Sequence, residues 1–356
     1  MKRLDNKLKQ LLMEGTVLPA HPLCLDEQRE FDEENQRLLT NYYIESGAGG
    51  IAVGVHSTQF EIRLPKHNLF EKVLRVSAEV VDEANVDRPF IKIAGICGPV
   101  DQAVAEAELA VKYGYDMGLL SMGGLQDLTE EQILDRTRQV AKIIPVFGFY
   151  LQPSVGGRIF SYDFWSNFVN IDNVEAIKCA SFNRYQTLDV VRAIANSPRK
   201  DQIALYTGND DNIVNDLLSI YRFNVNGKEE EVQFRGGLLG HWAVWTSKAV
   251  ELLDKVKAFK ASPTTEKWEE LQVLANQTTD VNAVLFDVAN DFHGCIPGIH
   301  EVLYRQGLMK GIWCLNPNEV LSTGQSEELS RVHEDYPALN DDLFVKEFLK
   351  KYNVPA

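Results

Sequence analysis

Lys178 is the residue in this sequence whose position points most directly to chemistry. It follows Val174-Glu175-Ala176-Ile177, a run that predicts a largely buried strand, and lysine is almost never fully buried without a partner or a purpose. Desolvation disfavours the ammonium form, so a lysine in a dry interior becomes a nucleophile towards ketones. The imine that forms lets a neighbouring C–C bond break or form, or lets water leave. A structural lysine paired with Glu175 or Asp210 is the alternative.

Tyr150 closes the preceding predicted strand, 28 residues before Lys178. If these two strands are neighbours in a parallel barrel, we expect the Tyr150 ring to lie beside the Lys178 amine. Tyrosine can transfer a proton while remaining uncharged at rest. The pair therefore predicts an amine nucleophile with a proton-transfer partner, and an aromatic plug in the barrel mouth is the structural alternative for Tyr150.

The segments around these two residues alternate between short apolar runs and helical patterns, which is typical of parallel strands joined by helical crossovers. Eight such repeats, without a dinucleotide-binding glycine fingerprint, favour an α/β protein with a closed (β/α)8 TIM barrel over an open doubly wound sheet. The predicted strands are 16–19, 50–55, 90–96, 117–121, 145–150, 174–179, 203–207 and 237–241. The predicted helices between them are 26–46, 69–84, 99–113, 129–143, 185–196, 212–221 and 245–259.

Three further segments complete the predicted organisation. The first residues, up to Gly15, have the pattern of a short amphipathic helix. Segment 222–234 contains Asn226-Gly227 between alternating polar residues, which predicts a hairpin. After residue 290 only short helical segments follow, and each is too short to bury a core alone. We expect a barrel with its N-terminal helix over 1–295 and a C-terminal helical extension, packed on the barrel, over 296–356.

The composition excludes several classes of protein. The apolar fraction of 45% and charged fraction of 24% are ordinary for a globular protein, and no apolar run is long enough for a membrane span. The net charge of -15 without a basic run disfavours nucleic acid as a partner. Five scattered cysteines without a CxxC pair, and no secretory signal, predict a cytoplasmic protein without disulfides or a thiolate zinc site.

Active sites of barrels lie at the carboxyl ends of the strands. His21, His56 and His241 close the first, second and eighth predicted strands, which become neighbours when the barrel closes. Three interpretations remain open for them: they bind polar groups of a substrate, they hold Zn²⁺ with an open position, or they form local hydrogen bonds. The other residues at predicted strand ends are Ser57, Thr58, Cys97, Ser121, Tyr150, Lys178 and Gly208.

The sequence resembles the family of dihydrodipicolinate synthase and N-acetylneuraminate lyase, the pyruvate-type class I aldolases. That family carries Tyr-Asn-x-Pro on strand five and a lysine on strand six, and this chain has Tyr150-Leu151-Gln152-Pro153 followed by Ile177-Lys178-Cys179-Ala180-Ser181. Tyr206-Thr207-Gly208-Asn209-Asp210 is similar to the glycine-containing end of the family's strand seven, and Gly236-Gly237-Leu238-Leu239-Gly240 to its strand eight. The resemblance covers nearly the whole chain.

The resemblance implies roles for individual residues. Lys178 would form a Schiff base and Tyr150 would shuttle protons, while Ser57 and Thr58, in a loop that matches the family's hydroxyl-bearing loop after strand two, would hold a substrate carboxylate. Gly208 and Arg158 are further candidates for substrate binding. His21, His56 and His241 join this set from their positions at the strand ends, to bind polar groups of a substrate that the better-known family members do not use. No cofactor and no metal are expected, and family members imply a homo-oligomer, a dimer or a tetramer.

The chain also departs from the family's lysine-biosynthetic members in two places. Those members have a tyrosine after strand four, where this chain has Leu120-Ser121-Met122-Gly123-Gly124. They have an arginine five residues after the strand-five tyrosine, where this chain has Val155, with Arg158 as the nearest substitute. Dihydrodipicolinate synthesis itself is therefore not the expected reaction.

The leading hypothesis is a lyase or aldolase that acts on a 2-keto acid or a sugar-acid-like substrate through the Lys178 imine. A sugar-acid dehydratase would use the same imine and differs only in the bond that breaks. A metal-dependent barrel hydrolase that uses His21, His56 and His241, with a structural Lys178, is a third possibility. A catalytically silent barrel that binds a ligand is a fourth.

Overall fold

The computed structural model describes residues 1–354. The strands are β1 (Val17–Pro19), β2 (Gly50–Val53), β3 (Ile91–Ile96), β4 (Met117–Leu120), β5 (Val146–Leu151), β6 (Val174–Ala180), β7 (Ala204–Thr207), β8 (Tyr221–Val225), β9 (Lys228–Val232) and β10 (Phe234–Leu239). The helices are α1 (Asn6–Glu14), α2 (Glu33–Glu45), α3 (Phe70–Ala84), α4 (Val100–Lys112), α5 (Glu130–Ala141), α6 (Tyr162–Phe168), α7 (Arg184–Ala195), α8 (Ile213–Leu218), α9 (Thr246–Ala261), α10 (Thr265–Leu285), α11 (Cys295–Arg305), α12 (Gln325–Asp335) and α13 (Asp342–Lys351).

The large sheet has the strand order β1-β10-β7-β6-β5-β4-β3-β2. Its strand pairs from β3 to β7, and β7 with β10, are parallel, and a parallel bridge joins Ala20 to Ala52 just beyond β1. Helices alternate with these strands along the chain. The predicted (β/α)8 TIM barrel with C-terminal helices is confirmed.

The predicted hairpin is also confirmed. Strands β8 and β9 pair antiparallel, with Val225 opposite Lys228. Asn226 and Gly227 connect them with φ angles of 53° and 84°, the positive values that a tight two-residue turn requires. The eighth barrel strand begins three residues earlier than predicted because the buried Phe234 starts it directly after the hairpin. His241 consequently belongs to the short 3-10 helix that follows β10 and does not end the strand.

Several helical segments differ from the sequence prediction. Helix α6 was not predicted, and the predicted helix 212–221 ends at Leu218 because β8 begins at Tyr221. Residues 26–31 are not helical because the Asp26 carboxylate accepts hydrogen bonds from the backbone amides of Gln28 and Glu30, a local arrangement that competes with a helix. Helix α2 starts only after Asp32, whose side chain caps it by accepting from the Asn35 amide. The 21-residue helix α10 was not predicted.

The chain divides into two compact units. The first comprises Met1–Thr16 and Ile91–Leu238, and the second comprises Val17–Phe90 and Leu239–Ala356. The first unit contains β3 to β9 and most of β10, with helix α1 placed so that the Tyr206 hydroxyl donates to the carbonyl oxygen of Leu12 at 2.9 Å.

The second unit contains β1, β2, α2, α3 and the C-terminal helices α9 to α13. The Tyr42 hydroxyl on α2 donates to the buried Asp341 carboxylate at 2.7 Å, and Lys351 on α13 forms an ion pair with Glu45 at 2.7 Å. Helix α13 and the residue before it therefore pack against α2, while the expected domain boundary at residue 295 stays a prediction. Among residues 1–354, no helix has both the length and the apolar character needed to cross a membrane.

Candidate active site

Lys178 lies on β6 in the first unit, next to Phe149 on β5 and Tyr206 on β7 in the parallel register. Its Nζ atom is 4.4 Å from the centroid of the Phe149 ring, within the range of a cation–π contact. A small part of the side chain remains accessible, since Lys178 is less buried than either neighbour in the strand. The amine is therefore enclosed by protein and still reachable.

The opposite face of these strands carries the helices. Strand residues in register point to the same face, and successive residues point to opposite faces. Next to Lys178 in sequence, Cys179 lies with its Sγ 3.7 Å from the Thr187 hydroxyl on α7. Thr207, the register partner of Cys179, donates its hydroxyl hydrogen to Asp216 on α8. Lys178 therefore faces away from the helices, towards the inside of the sheet.

Burial lowers the pKa of the Lys178 amine from its ordinary value of 10.5 to about 8, and the negative charge of Asp210 opposes part of this effect. The cause is the loss of hydration, which the ammonium form needs more than the neutral amine does. At neutral pH, a pKa of about 8 gives roughly 300 times more free amine than an unperturbed lysine would have. Lys178 therefore combines partial access with a larger fraction of neutral amine than an ordinary lysine has, and a nucleophile needs both.

Tyr150 does not lie beside Lys178. It is in register with Cys179, and its ring packs 4.9 Å from the Trp165 ring and 6.0 Å from the Phe160 ring, centroid to centroid. Its hydroxyl oxygen accepts a 3.4 Å hydrogen bond from the Phe160 amide, and burial raises its pKa to about 12. The expectation that its phenol stands next to the amine is thus not met, because the alternation of the strand turns Tyr150 towards α6.

Gly208 lies directly against the lysine. Its amide donates to the Cys179 carbonyl oxygen at 2.7 Å, which brings the end of β7 beside β6. A Cβ atom on Gly208 would come within 2.4 Å of Lys178 Cε and 2.9 Å of Ala180 Cβ. The absence of a side chain at position 208 therefore makes the space that the Lys178 side chain occupies.

Asp210 follows two residues after Gly208 and is partly buried. Burial raises the pKa of its carboxyl group to about 7. The charge of Lys178 lowers this pKa, and the charge of the neighbouring Asp211 raises it. Of the two carboxylates considered as partners of Lys178, Asp210 is the one whose charge acts on it. Glu175 forms an ion pair with Lys9 instead, at 2.7 Å.

The buried Asp216 carboxylate fixes the loop that carries Gly208 and Asp210. It accepts hydrogen bonds from the Thr207 hydroxyl at 2.7 Å and the Asn209 side-chain amide at 2.8 Å, and it forms an ion pair with Arg184. A fully buried carboxylate is stable only with such partners. Sequence reasoning missed Asp216, although a run rich in Asn and Asp directly after a predicted strand was a usable signal.

The Arg158 side chain binds backbone carbonyl oxygens of the protein itself. Its Nη1 donates to the backbone carbonyl oxygens of Leu125 at 3.3 Å and Leu128 at 2.7 Å, and its guanidinium lies 5.1 Å from the centroid of the Phe160 ring. The side chain thus ties the loop after β5 to the loop after β4. The geometry does not support the predicted contact between Arg158 and a substrate.

Three of the predicted substrate-binding residues in the second unit form one local network. The His21 ring nitrogens lie 2.8 Å from the Pro22 carbonyl oxygen and 2.8 Å from the Thr40 hydroxyl, and burial lowers its pKa to about 4, so the ring is neutral. The hydroxyls of Ser57 and Thr58 donate to the backbone carbonyls of Ala20 and His21. Because each hydroxyl has one hydrogen to donate, this arrangement does not support a carboxylate-binding role for either residue.

His56 and His241 also lie in the second unit. The His56 ring packs beside Phe60. Burial lowers the pKa of His241 to about 4, and a hydrogen bond with Asn282 opposes this effect. Within residues 1–354, Nδ1 of His241 has no hydrogen-bond partner. The same range contains no group of three or more His, Cys, Asp or Glu side chains arranged to hold a metal ion. The metal-dependent hydrolase therefore finds no support in the geometry, and a substrate role for His56 and His241 stays a prediction.

Comparison with solved structures shows where else this fold occurs. Dihydrodipicolinate synthase from Oceanobacillus iheyensis shares 17% identity with this chain at a TM-score of 0.71, over 93% of this chain and 99% of that one. N-acetylneuraminate lyase from Fusobacterium nucleatum, complexed with pyruvate, shares 15% identity at a TM-score of 0.70, over 92% and 99%. A protein named CdNal from Clostridium difficile, in complex with mannosamine, shares 16% at a TM-score of 0.69, over 90% and 99%.

No protein-family model and no curated protein sequence matches the chain. At identities this low, the structural likeness shows a shared fold. The resemblance to dihydrodipicolinate synthase and N-acetylneuraminate lyase is confirmed at that level, over about nine-tenths of the chain.

Proposed function

We propose that the protein is a class I lyase or aldolase that forms a Schiff base between Lys178 and a 2-keto acid or a sugar-acid-like substrate. The observation that carries the proposal is the Lys178 amine itself, enclosed on the inner face of the sheet, partly accessible, and with its pKa lowered to about 8 by burial. The fold supports it, because solved structures with this fold include enzymes named as a synthase and as lyases.

The chemistry begins with the neutral amine. Its lone pair attacks the carbonyl carbon of the substrate, the departing hydroxyl takes up a proton and leaves as water, and a protonated imine remains. The imine nitrogen then accepts the electron pair of the bond that breaks, either a C–C bond or a C–H bond whose loss leads to dehydration. Both reactions use the same imine, so the choice between them depends on the substrate. The cytoplasmic location and the homo-oligomeric state remain predictions.

Reductive trapping tests the proposal directly. We expect pyruvate and cyanoborohydride to produce a stable adduct on Lys178, identified by the mass of the peptide that contains it. The rate of trapping should rise with pH up to about 8 and then level off, because the free-amine fraction increases until the pH passes the lowered pKa of Lys178.

An unperturbed lysine would behave differently, since its trapping rate would continue to rise towards pH 10 and beyond. No adduct on the wild-type protein with any member of a panel of 2-keto acids and sugar-derived keto acids would contradict the proposed function. An adduct spread over surface lysines, with no preference for Lys178, would contradict it equally.

Tyr150→Phe provides a test of the strand geometry. We expect this variant to trap pyruvate at a rate within about threefold of wild type, because the phenol faces α6 and not the amine. The lost hydrogen bond from the Phe160 amide is long, at 3.4 Å, and its removal should cost at most about 1 kcal/mol of stability. A loss of trapping or turnover of about 100-fold, with unchanged thermal unfolding, would show instead that the phenol acts in proton transfer.

A further inference from the structure

We propose that Asp210 is the acid–base group that serves the Lys178 imine, taking the role that sequence resemblance gave to Tyr150. This inference rests on the proposed function, because it assigns the proton transfers of the same site. It identifies a catalytic residue on the loop after β7 and follows from what the structure places around the lysine.

The backbone geometry places the loop that carries Asp210 against the Lys178 side chain. Lys178 is in register with Tyr206, the third residue of β7, and Gly208, two residues later, lies so close to Lys178 Cε that a Cβ atom would not fit. Asp210 follows after another two residues, on a loop that Asp216 holds through Thr207 and Asn209. Asp210 is thus two residues from the point where a fixed loop touches the lysine side chain.

The other side of the lysine offers no proton. Phe149 is the β5 residue in register with Lys178, and its ring lies against Nζ. A phenyl ring can attract the ammonium form but has no hydrogen that it can exchange. The charge of Asp210 acts on Lys178, and the charges of Lys178 and Asp211 act on Asp210.

Burial shifts both groups towards neutrality. It lowers the pKa of the Lys178 amine and raises that of the Asp210 carboxyl, so the two values approach each other near pH 7 to 8. Two groups that interact in this way titrate as a pair. The form with a neutral amine beside a protonated carboxyl combines a nucleophile with an acid for the departing hydroxyl.

The proton can be followed through the reaction. The Lys178 nitrogen adds to the carbonyl carbon and gives a carbinolamine. Asp210 then donates its proton to the departing hydroxyl, water leaves, and the products are the protonated imine and the Asp210 carboxylate. In cleavage, that carboxylate takes the proton from the hydroxyl of the substrate, the C–C bond breaks, an aldehyde leaves, and the electron pair moves into an enamine.

The cycle closes when Asp210 returns this proton to the enamine carbon and water hydrolyses the new imine. With pyruvate alone, the same step appears as removal and return of a methyl proton. Exchange of those protons with deuterium from the solvent therefore reports on the acid–base group, whereas reductive trapping reports on imine formation by Lys178.

The test compares Asp210→Asn with Asp201→Asn, which removes an exposed carboxylate of the same unit that pairs with Lys200. In D₂O, we expect wild type to exchange the methyl protons of pyruvate, as followed by proton NMR. Asp210→Asn should lower the exchange rate by about 100-fold or more while a trapped adduct on Lys178 remains detectable. Asp201→Asn should exchange within a few-fold of wild type.

The outcomes separate this inference from the proposed function. If wild type forms no trapped adduct with any keto acid, the proposed function fails, and the role of Asp210 fails with it. If wild type forms the adduct and Asp210→Asn exchanges as fast as wild type, only the role of Asp210 is overturned.

Asp210→Glu distinguishes a catalytic effect from a purely structural one, since it keeps a carboxyl group and changes the length of the side chain. If Asp210→Asn does not fold, as judged by thermal unfolding, Asp210→Glu decides the question. Exchange that is slower than wild type and has a shifted pH profile supports the proposal, because a merely structural role would leave that profile in place. An unchanged rate together with an unchanged pH profile overturns it.

Discussion

Lys178→Met is expected to abolish both the trapped adduct and turnover, with a loss of at least about 10⁴-fold, because removal of a covalent nucleophile closes the reaction path through the imine. Methionine has a similar length and needs no hydration. Since burial already penalises the Lys178 ammonium, the variant should unfold at the same temperature as wild type or at a higher one. Trapping followed by peptide mass analysis, together with a thermal unfolding curve, measures both effects.

Lys200→Met is the matched control for this prediction. Lys200 belongs to the same unit and contacts Asp201 and Glu230 at the surface. We expect this variant to retain the adduct and the wild-type turnover. An undiminished adduct in Lys178→Met would mean that another lysine forms the imine, and a marked loss of stability in that variant would assign Lys178 a structural role.

Gly208→Ala should have the second largest effect. The new methyl group would come within 2.4 Å of Lys178 Cε, so the lysine side chain has to move away from its position beside Phe149. A displacement of about 1 Å at a reacting group can cost about 100-fold in rate, and we expect a loss of that size in the trapping rate. The pH at which trapping levels off should also change, because the displaced amine has different surroundings.

Gly123→Ala controls for a general effect of replacing glycine in this unit. Its Cβ would have the Gly156 carbonyl oxygen as its nearest neighbour, at 3.1 Å, and we expect its trapping rate to remain close to that of wild type. Wild-type trapping in Gly208→Ala would contradict the idea that Gly208 sets the position of the lysine. A loss of trapping accompanied by early unfolding would point to the backbone of the loop instead.

The fold was accessible from the sequence because it depends on patterns that recur along the chain. The alternation of buried strands with amphipathic helices located β1 to β7 to within two residues at either end, and Asn226-Gly227 located the hairpin. The eighth strand was the weakest of the predictions, because the hairpin leads directly into it at Phe234. Helix α10 was missed because polar residues interrupt its apolar pattern.

The site was harder to predict, because it depends on which way single side chains point. Lys178 and Gly208 were identified and do lie together, but the motif Tyr150-Leu151-Gln152-Pro153 gave no information about the face of the strand. A shift of one residue moves a side chain to the other side of a sheet. The aromatic residues of α6 were the available signal, since Trp165 and its neighbours need ring partners on the outer face of β5.

The second unit shows the same limit. His21, Ser57 and Thr58 end strands as predicted, yet their polar atoms are engaged with the carbonyl oxygens of Pro22, Ala20 and His21. A sequence indicates which residue types are present at a strand end, whereas the hydrogen bonds that already occupy them depend on the folded backbone. Asp210 illustrates the reverse case, because the sequence suggests it only as a structural partner, whereas it follows two residues after the glycine that contacts the lysine.

The ring of Phe149 has a consequence for how reactive Lys178 is. Its face carries the negative part of an electric quadrupole and holds the ammonium 4.4 Å away, so it favours the charged form that burial disfavours. The electron density of one aromatic ring therefore sets, in part, how readily the nitrogen becomes nucleophilic. Fluorine atoms placed around that ring would withdraw this density and shift the balance towards the neutral amine, in steps and without any change to the lysine.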